Sequence, residues 1–447
     1  MRLLTLLSSL LLVACGEKEL FSEDQELYYN YQLLKAYFYH PERIKEYSKY
    51  EGLTEVDSMY SSLNDYLGGW RYTRYYKPDT SGDVLNNIVN SERYYSFGFE
   101  RGVDRDTLTV DDEIVISYNL IVTDVYPFSP ATEATLKKHD RLLSANGIPL
   151  TGITDTAIVR AYLRSDSLFE DLTVFEVLRG TEPLTLPAMQ KREVPVPTVF
   201  LDSLIGIPYI YITEFTQRTN NPYGTYYEFK KYLDDISGAK TAIIDLRYNL
   251  GGDIGHCSAM AAELVPLNSE LIHDERHYNR EGKNVVDMIP YSARDYLSSQ
   301  GSGIGINWII LMNRWSASCS ERFIAAVKYN RPEIVLIGEN SYGKGIGQVY
   351  LTTYLDGLAS ITFLQSFYPD GKTFHEIGIP PDPGYNVAID APSADYIAAI
   401  EKAAQSFGPG LASAKRSFTS VQSENLPPVR KSKKTNLGMY YLLHQWE

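Results

Sequence analysis

The chain has 447 residues, 44% hydrophobic and 22% charged, ordinary proportions for a protein that buries several cores, so disordered and fibrous classes are excluded. Its 42 Lys and Arg against 56 Asp and Glu leave a net charge of -14, a surface that repels phosphate backbones and argues against nucleic acid as a partner. Three cysteines are too few for a disulfide framework, and their odd number leaves one to be explained.

The first fifteen residues explain it. Arg2 precedes an apolar run, Leu3 to Ala14, which as a helix would reach only about 18 Å into a ~30 Å hydrocarbon core. It reads as the hydrophobic part of a secretory signal, and Leu12-Val13-Ala14-Cys15-Gly16 resembles the bacterial lipobox, with Cys15 as the lipidated residue. The expectation is an extracytoplasmic bacterial lipoprotein, periplasmic or at the cell surface, held to a membrane by acyl chains.

Residues 16–90 are polar, rich in tyrosine and helical in pattern, with Leu27, Tyr31 and Leu34 near helical spacing and a second helix opening at Pro41. Their tyrosines are expected to pack a small helical domain, which Gly68-Gly69 and Pro78-Asp79 punctuate at its end. Over 91–195, strands are expected at Ile114–Ile116 and Leu120–Val122, a helix from Ser129 through Leu136, and a hairpin turn at Asn146-Gly147. This order resembles a PDZ domain, in which Gly98 and Phe99 would lie in the loop that binds a peptide's carboxyl terminus.

From 196 to 410 strand and helix alternate, the mark of an α/β core. Strands are expected at Pro208–Ile212, Ala242–Leu246, Ile306–Met312 and Ile334–Ile337. One helix carries Tyr226, Phe229, Leu233 and Ile236 on a single face with Gly238 as its stop, and a last one begins with Ser393 as N-cap and turns Ile397 and Ile400 inward. Residues 411–447 read as a flexible, locally basic tail.

Three segments carry chemistry. In the first a buried strand ends at Asp245 and runs into Gly251-Gly252, where adjacent glycines let backbone amides approach a reacting atom. In the second, Met312 to Phe323, a serine stands at a strand-to-helix turn, at the positive end of a helix. In the third, Lys344 sits between Gly343 and Gly345 with Gln348 four residues on, a setting that sheds hydration and lowers an amine's pKa towards that of a usable base.

Together these segments resemble the carboxy-terminal processing (tail-specific) protease family. The family pattern Ser-Ala-Ser-Ala-Ser-Glu stands here as Ser316-Ala317-Ser318-Cys319-Ser320-Glu321, with Cys for the second Ala. The resemblance implies Ser318 as nucleophile, Lys344 as base and Gln348 as its orienting partner, although the spacing from Ser318 to Lys344 is about one residue longer than usual. It implies an oxyanion hole from the Cys319 amide with one from Gly251 or Gly252, and no cofactor. Ile377 to Asp382 looks like the family's closing motif, so the resemblance covers roughly residues 92 to 385. The implied fold is an α/β core of the crotonase/ClpP-like kind with an inserted PDZ β-domain and a small helical N-terminal domain. The implied partners are protein or peptide substrates taken by their C-termini.

Other readings fit less well. Gly338 to Lys344 spaces like a phosphate-binding loop, but Gly345 stands where a Ser or Thr must hold Mg²⁺, and a β-branched strand follows instead of a helix. His273 and His277 have the spacing of a helical zinc pair, yet their surroundings read as a hairpin, which would part the rings by about 13 Å. His256 or His375 could serve as base in a Ser-His pair, but neither has a motif around it. A binding lipoprotein of the same fold with weak catalysis is the remaining alternative. Cys257 and Cys319 both fall near the presumed site and are free to pair with each other.

Overall fold

The computed structural model describes residues 23–63, 72–110, 113–219, 223–280, 283–408 and 439–441. Cys15 with the apolar run before it, Gly68-Gly69 and most of the tail fall outside the described residues. No helix among them is long and apolar enough to cross a membrane.

The N-terminal segment folds as α1 (Glu23–Tyr37), α2 (Val56–Ser61), β1 (Arg74–Tyr76) and α3 (Pro78–Val89). Pro41 opens a single 3₁₀ turn, Pro41–Arg43, and not a helix. Tyr31, Tyr50 and Tyr60 are buried as expected, but not in a bundle of their own. Leu27, Leu34, Phe38 and Met59 share one core cluster with Phe215, Trp308 and Ile361. The physical reason is size: short helices with narrow apolar faces bury them only against a larger surface.

Next come β2 (Arg93–Ser96), β3 (Phe99–Val110), β4 (Glu113–Val125), α4 (Pro130–Glu133), β5 (Arg141–Ala145), β6 (Ile148–Pro149), α5 (Thr156–Arg164), β7 (Leu172–Thr173), β8 (Phe175–Arg179), β9 (Glu182–Thr185), β10 (Met189–Gln190) and β11 (Arg192–Pro195). The main sheet has the order β3-β4-β5-β8-β9, with β6 on β5, while β10 pairs with β7 and β11 with β2. Phe97, Leu120, Leu142, Phe175 and Val177 form a core of its own. The two strand runs expected around 114–122 are one strand. The helix after Ser129 stops at Glu133, short of Leu136, because Thr135 turns to φ 61° and the Leu136 amide bonds back to the Ala131 carbonyl at 3.0 Å. Asn146 and Gly147 both take positive φ and join β5 to β6 as a tight hairpin.

The remainder is an α/β unit: β12 (Val199–Leu204), β13 (Ile207–Ile212), α6 (Gly224–Asp235), β14 (Thr241–Asp245), α7 (Ile254–Ala262), β15 (Glu270–Arg280), β16 (Lys283–Ser292), β17 (Asn307–Met312), α8 (Cys319–Asn330), β18 (Val335–Gly338), β19 (Ile346–Thr352), β20 (Leu358–Phe367) and α9 (Ser393–Ser406). One sheet has the order β12-β13-β14-β17-β18, parallel from β13 onwards. Its central strands are rich in apolar residues because helices cover both faces, and every residue of β14, Asp245 included, is buried. A second sheet has the order β16-β15-β20-β19, with β1 also on β20. His273 and His277 lie on β15 of the hairpin expected there. Helix α6 buries Phe229 and Leu233 and ends three residues before Gly238. Ser393 is the first residue of α9 and not its cap, since the extended Pro392 already fixes the chain's entry. From the tail, β21 (Met439–Tyr441) runs parallel to β19, so those three residues are strand where a loose terminus was expected.

Candidate active site

Strand β17 delivers the chain to a tight turn, and α8 starts at Cys319. Between them Ser318 has φ 59° and ψ -113°, a conformation that costs a non-glycine residue free energy and that recurs where a strand-to-helix turn presents a reactive side chain. Its neighbours are already committed. The Ser316 hydroxyl donates to the Leu246 carbonyl and the Ser320 hydroxyl to the Asn249 carbonyl, both at 2.9 Å.

Below this turn lies the buried carboxylate of Glu321. Its Oε2 accepts from the Ser318 amide at 2.8 Å and from the Lys344 amide at 2.7 Å, and its Oε1 from the Gly343 amide at 2.6 Å and the Ser341 hydroxyl at 2.5 Å. Burial pushes its pKa up, while these four donors pull it down. The donors face a carboxylate, so one residue of α8 fixes the whole loop between β18 and β19. The closing motif braces that loop from behind, with the Ile379 amide donating to Ser341 Oγ at 2.7 Å.

Lys344 is buried, 3% exposed. Its Nζ donates to Gln348 Oε1 at 2.8 Å and stands 4.3 Å from the centre of the Tyr72 ring. Gln348 is held in turn by its Nε2 donating to Thr362 Oγ1 at 3.1 Å. The expected pairing of Lys344 with Gln348 is therefore made, with Lys344 just before β19 and Gln348 on it opposite Thr362 of β20.

Gly251 and Gly252 close the site from the β14 side. Gly251 (φ 106°) packs against the turn so tightly that a Cβ there would lie 2.8 Å from Ser318 Cβ and 2.9 Å from the Cys319 nitrogen. Its own amide is spent, donating to Asn249 Oδ1 at 2.9 Å. Gly252 (φ 141°) lies along Phe215, whose carbonyl a Cβ would meet at 1.9 Å. Of the two glycines, only Gly252 then has an amide that no described acceptor takes, and the Cys319 amide, in the first turn of α8, is the other open donor. The sulfur of Cys319 is bonded to that of Cys257 on α7, with Cα atoms 5.9 Å apart, and lies 3.0 Å from the Asp253 carbonyl oxygen. The pairing left open by the sequence is made, and it ties α8 to the helix that follows the two glycines.

A model of peptidase family S41 matches residues 206–384, which takes in all of these segments. Over that stretch the chain is similar to the carboxy-terminal processing proteases. It is similar to a "Probable CtpA-like serine protease" of Staphylococcus saprophyticus, 24% identical over 74% of this chain and 65% of that one. It is also similar to "Carboxy-terminal processing protease CtpA" of Bacillus subtilis, 26% identical over 67% and 60%. The match thus spans less than two thirds of the length of these relatives. Among solved structures, a putative S41 protease from Bacteroides fragilis aligns over 86% of this chain and 94% of that chain at 15% identity, with a TM-score of 0.46.

Several polar residues of this site carry no motif of their own. Glu321 was quoted only as the end of a pattern, although Ser-x-x-Glu at a helix start is a capping-box signal. Asn249, Thr362 and Tyr72 gave no signal, because their partners are distant in sequence. Asp245 carries no part in the glycine loop directly: its carboxylate is held by Arg247 at 2.7 Å and by the Tyr209 hydroxyl, fully buried. Both alternative histidines contact backbone groups, His375 on the Lys344 loop itself. His256 Nδ1 accepts from the Tyr226 amide at 3.1 Å, and His375 Nδ1 lies 3.3 Å from the Gly343 carbonyl. Gly98 and Phe99 belong to the other sheet. Gly98 (φ 79°) packs on Ser129, and its amide donates to Ser96 Oγ at 3.2 Å.

Proposed function

We propose that this chain is a membrane-tethered, extracytoplasmic serine endopeptidase that takes substrates by their carboxyl termini and cuts them with Ser318 and Lys344. The observation that carries the reading is the turn itself: Ser316 and Ser320 are committed to carbonyls, while Ser318 holds a strained φ and shares Glu321 with Lys344. The core would be of the crotonase/ClpP-like kind over 196–410, and residues 91–195 a PDZ-like unit with Gly98 and Phe99 in its carboxylate loop. The names of the relatives, serine protease and carboxy-terminal processing protease, support this class of activity.

In this mechanism Lys344 enters neutral and takes the Ser318 proton as Oγ bonds to the carbonyl carbon. The oxyanion is received by the Gly252 and Cys319 amides, aided by the start of α8. The C–N bond then breaks, and the amine leaves with the proton returned by Lys344. Water, deprotonated by the same amine, releases the acyl group. Gln348 keeps Nζ in line.

Labelling with a serine-directed fluorophosphonate, alongside cleavage of a peptide with an apolar free C-terminus, tests the reading. Wild type is expected to be labelled at Ser318 and to cleave. Ser318→Ala and Lys344→Ala should each lose at least about 10³-fold in turnover, and Lys344→Arg as much, since a guanidinium stays protonated. Ser316→Ala and Ser320→Ala should keep part of it. A wild type neither labelled nor active would leave the alternative, a catalytically weak peptide-binding lipoprotein. Tethering rests on Cys15: Cys15→Ala should leave the membrane fraction, and its retention there would sink that part.

A further inference from the structure

Strand β3 is the edge of its sheet, and α5 packs beside it. On the reading of residues 91–195 as a binder of free carboxyl termini, a peptide would add along that edge with its terminal carboxylate at the loop Phe97-Gly98-Phe99. That end of the groove already holds a carboxylate. The Phe97 amide donates to Asp166 Oδ2 at 3.0 Å, and the other oxygen of Asp166 is bound by the Arg101 guanidinium. Arg101, from β3, also donates through Nε to the Tyr162 carbonyl of α5 at 2.8 Å, so one side chain spans strand and helix. The ion pair is almost dry, with Arg101 5% and Asp166 8% exposed. The guanidinium lies 5.1 Å from the Phe99 ring and 5.2 Å from the Phe169 ring, which hold it in place by cation–π contact.

We propose that Asp166 is an internal stand-in for a ligand's terminal carboxylate, and that a free C-terminus enters this groove by displacing it. A backbone amide and a guanidinium converging on one carboxylate are what recognition of a chain terminus requires. Phe97, Phe99, Phe169 and Phe175 stack around the same point, ring centres 5.3 to 6.3 Å apart, so the favoured terminal residue is apolar. Displacement frees Asp166 and the 3₁₀ turn it opens, Asp166–Leu168, while Arg101 stays on its aromatic seat to meet the incoming charge. Affinity is thereby set by competition. The wild-type groove is selective for ligands that bring both a carboxylate and an apolar side chain, because a carboxylate alone only exchanges like for like.

The test uses full-length protein carrying Ser318→Ala, so that the probe survives, and a fluorescein-labelled peptide ending in Ala-Ala-Val as free acid or as amide. Asp166→Asn removes the charge and turns an amide donor towards Arg101. It should tighten binding of the free acid about tenfold or more and leave the amide unchanged. Asp166→Ser removes the carboxylate by another route and should do the same. In the unsubstituted groove, saturating free-acid peptide should speed hydrogen exchange across the 165–168 turn. A folded Asp166 variant that binds the free acid no tighter, or a turn whose protection is unmoved at saturation, overturns the proposal. If neither wild type nor any variant distinguishes acid from amide, the C-terminus-binding reading falls and takes the proposal with it. Acid-selective binding with an unmoved turn overturns the stand-in alone.

Discussion

The amides of Ser318 and Lys344 are bound by one and the same oxygen, Oε2 of Glu321, at 2.8 and 2.7 Å. The separation of the two residues is therefore fixed by one side chain that binds the backbone of both. Glu321→Gln keeps the shape but offers an NH₂ to at least two donors. Hydrogen bonds to a charged group contribute about 1.5–3 kcal/mol each. The expected result is a drop in kcat of about 10²-fold or more, with a native circular dichroism spectrum and little change in KM. Wild-type kcat in that variant would show that the shared oxygen does not set the geometry.

Gly251 and Gly252 should fail in different ways. A methyl on Gly251 meets Ser318 Cβ and the Cys319 nitrogen, at the turn itself, whereas one on Gly252 runs into the Phe215 backbone at 1.9 Å. Gly251→Ala is expected to fold and to lose about 10²-fold or more in activity, the scale of a lost oxyanion donor. Gly252→Ala should lower the melting temperature as well, because the Phe215 strand must move. Thermal melts and initial rates on the pair separate the two outcomes, and equal loss of stability in both would contradict the assignment.

Acid should destabilise this fold through its histidines. Burial holds the pKa of His256 and of His375 below the usual value, and the same holds for His40 and His139. A depressed folded-state pKa means that the unfolded chain binds the extra proton. The stability these rings contribute is complete above about pH 6.5 and is lost as pH falls towards their folded values. His256 shows why: its Nδ1 accepts from the Tyr226 amide and cannot do so when protonated. Urea melts at pH 7, 6 and 5 should give unfolding free energies that fall by up to about 1.4 kcal/mol per pH unit for each titrating ring. His256→Gln, which keeps an acceptor, should flatten that slope. An unchanged slope would remove His256 from the account.

The Cys257–Cys319 bond closes a loop with a sequence separation of 62 residues, and both residues are fully buried. Removing such a cross-link costs about 2–4 kcal/mol through the unfolded chain. The Cys257→Ala/Cys319→Ala protein should therefore unfold at lower urea concentration with a similar m-value plus the increment expected for a longer free loop. A midpoint equal to that of the oxidised wild type would mean that the bond adds no stability.

What could be read beforehand was whatever is local. The mostly apolar runs at Ala242–Leu246 and Ile306–Met312 announced central parallel strands, and the structure places them side by side. Ser318, Lys344 and Gln348 could be singled out as candidates because an alanine or glycine adjoins each of them, and Lys344 does bind Gln348. Glu321 was hidden in plain view, since three of its four donors come from a stretch of chain some twenty residues further on. The choice between the Gly251 and Gly252 amides was open in the sequence, and Asn249 closes that of Gly251 through a contact two residues away that depends on one side-chain rotamer. Helix ends went wrong where a single residue changed its φ, as at Thr135, or where proline already fixed the entry, as at Pro392.

The first described helix has its partners near the other end of the chain. Glu26 Oε2 accepts from the Leu355 amide at 2.9 Å, the Tyr39 amide donates to the Thr362 carbonyl at 2.9 Å, and the Tyr39 hydroxyl binds Glu275. Local partners such as Tyr60 hold this helix from nearby, but the bond from Glu26 to Leu355 closes only across more than three hundred residues of chain. Contacts of that sequence separation carry a large loop-closure cost, so the junction of this helix with β20 is expected to form late in folding.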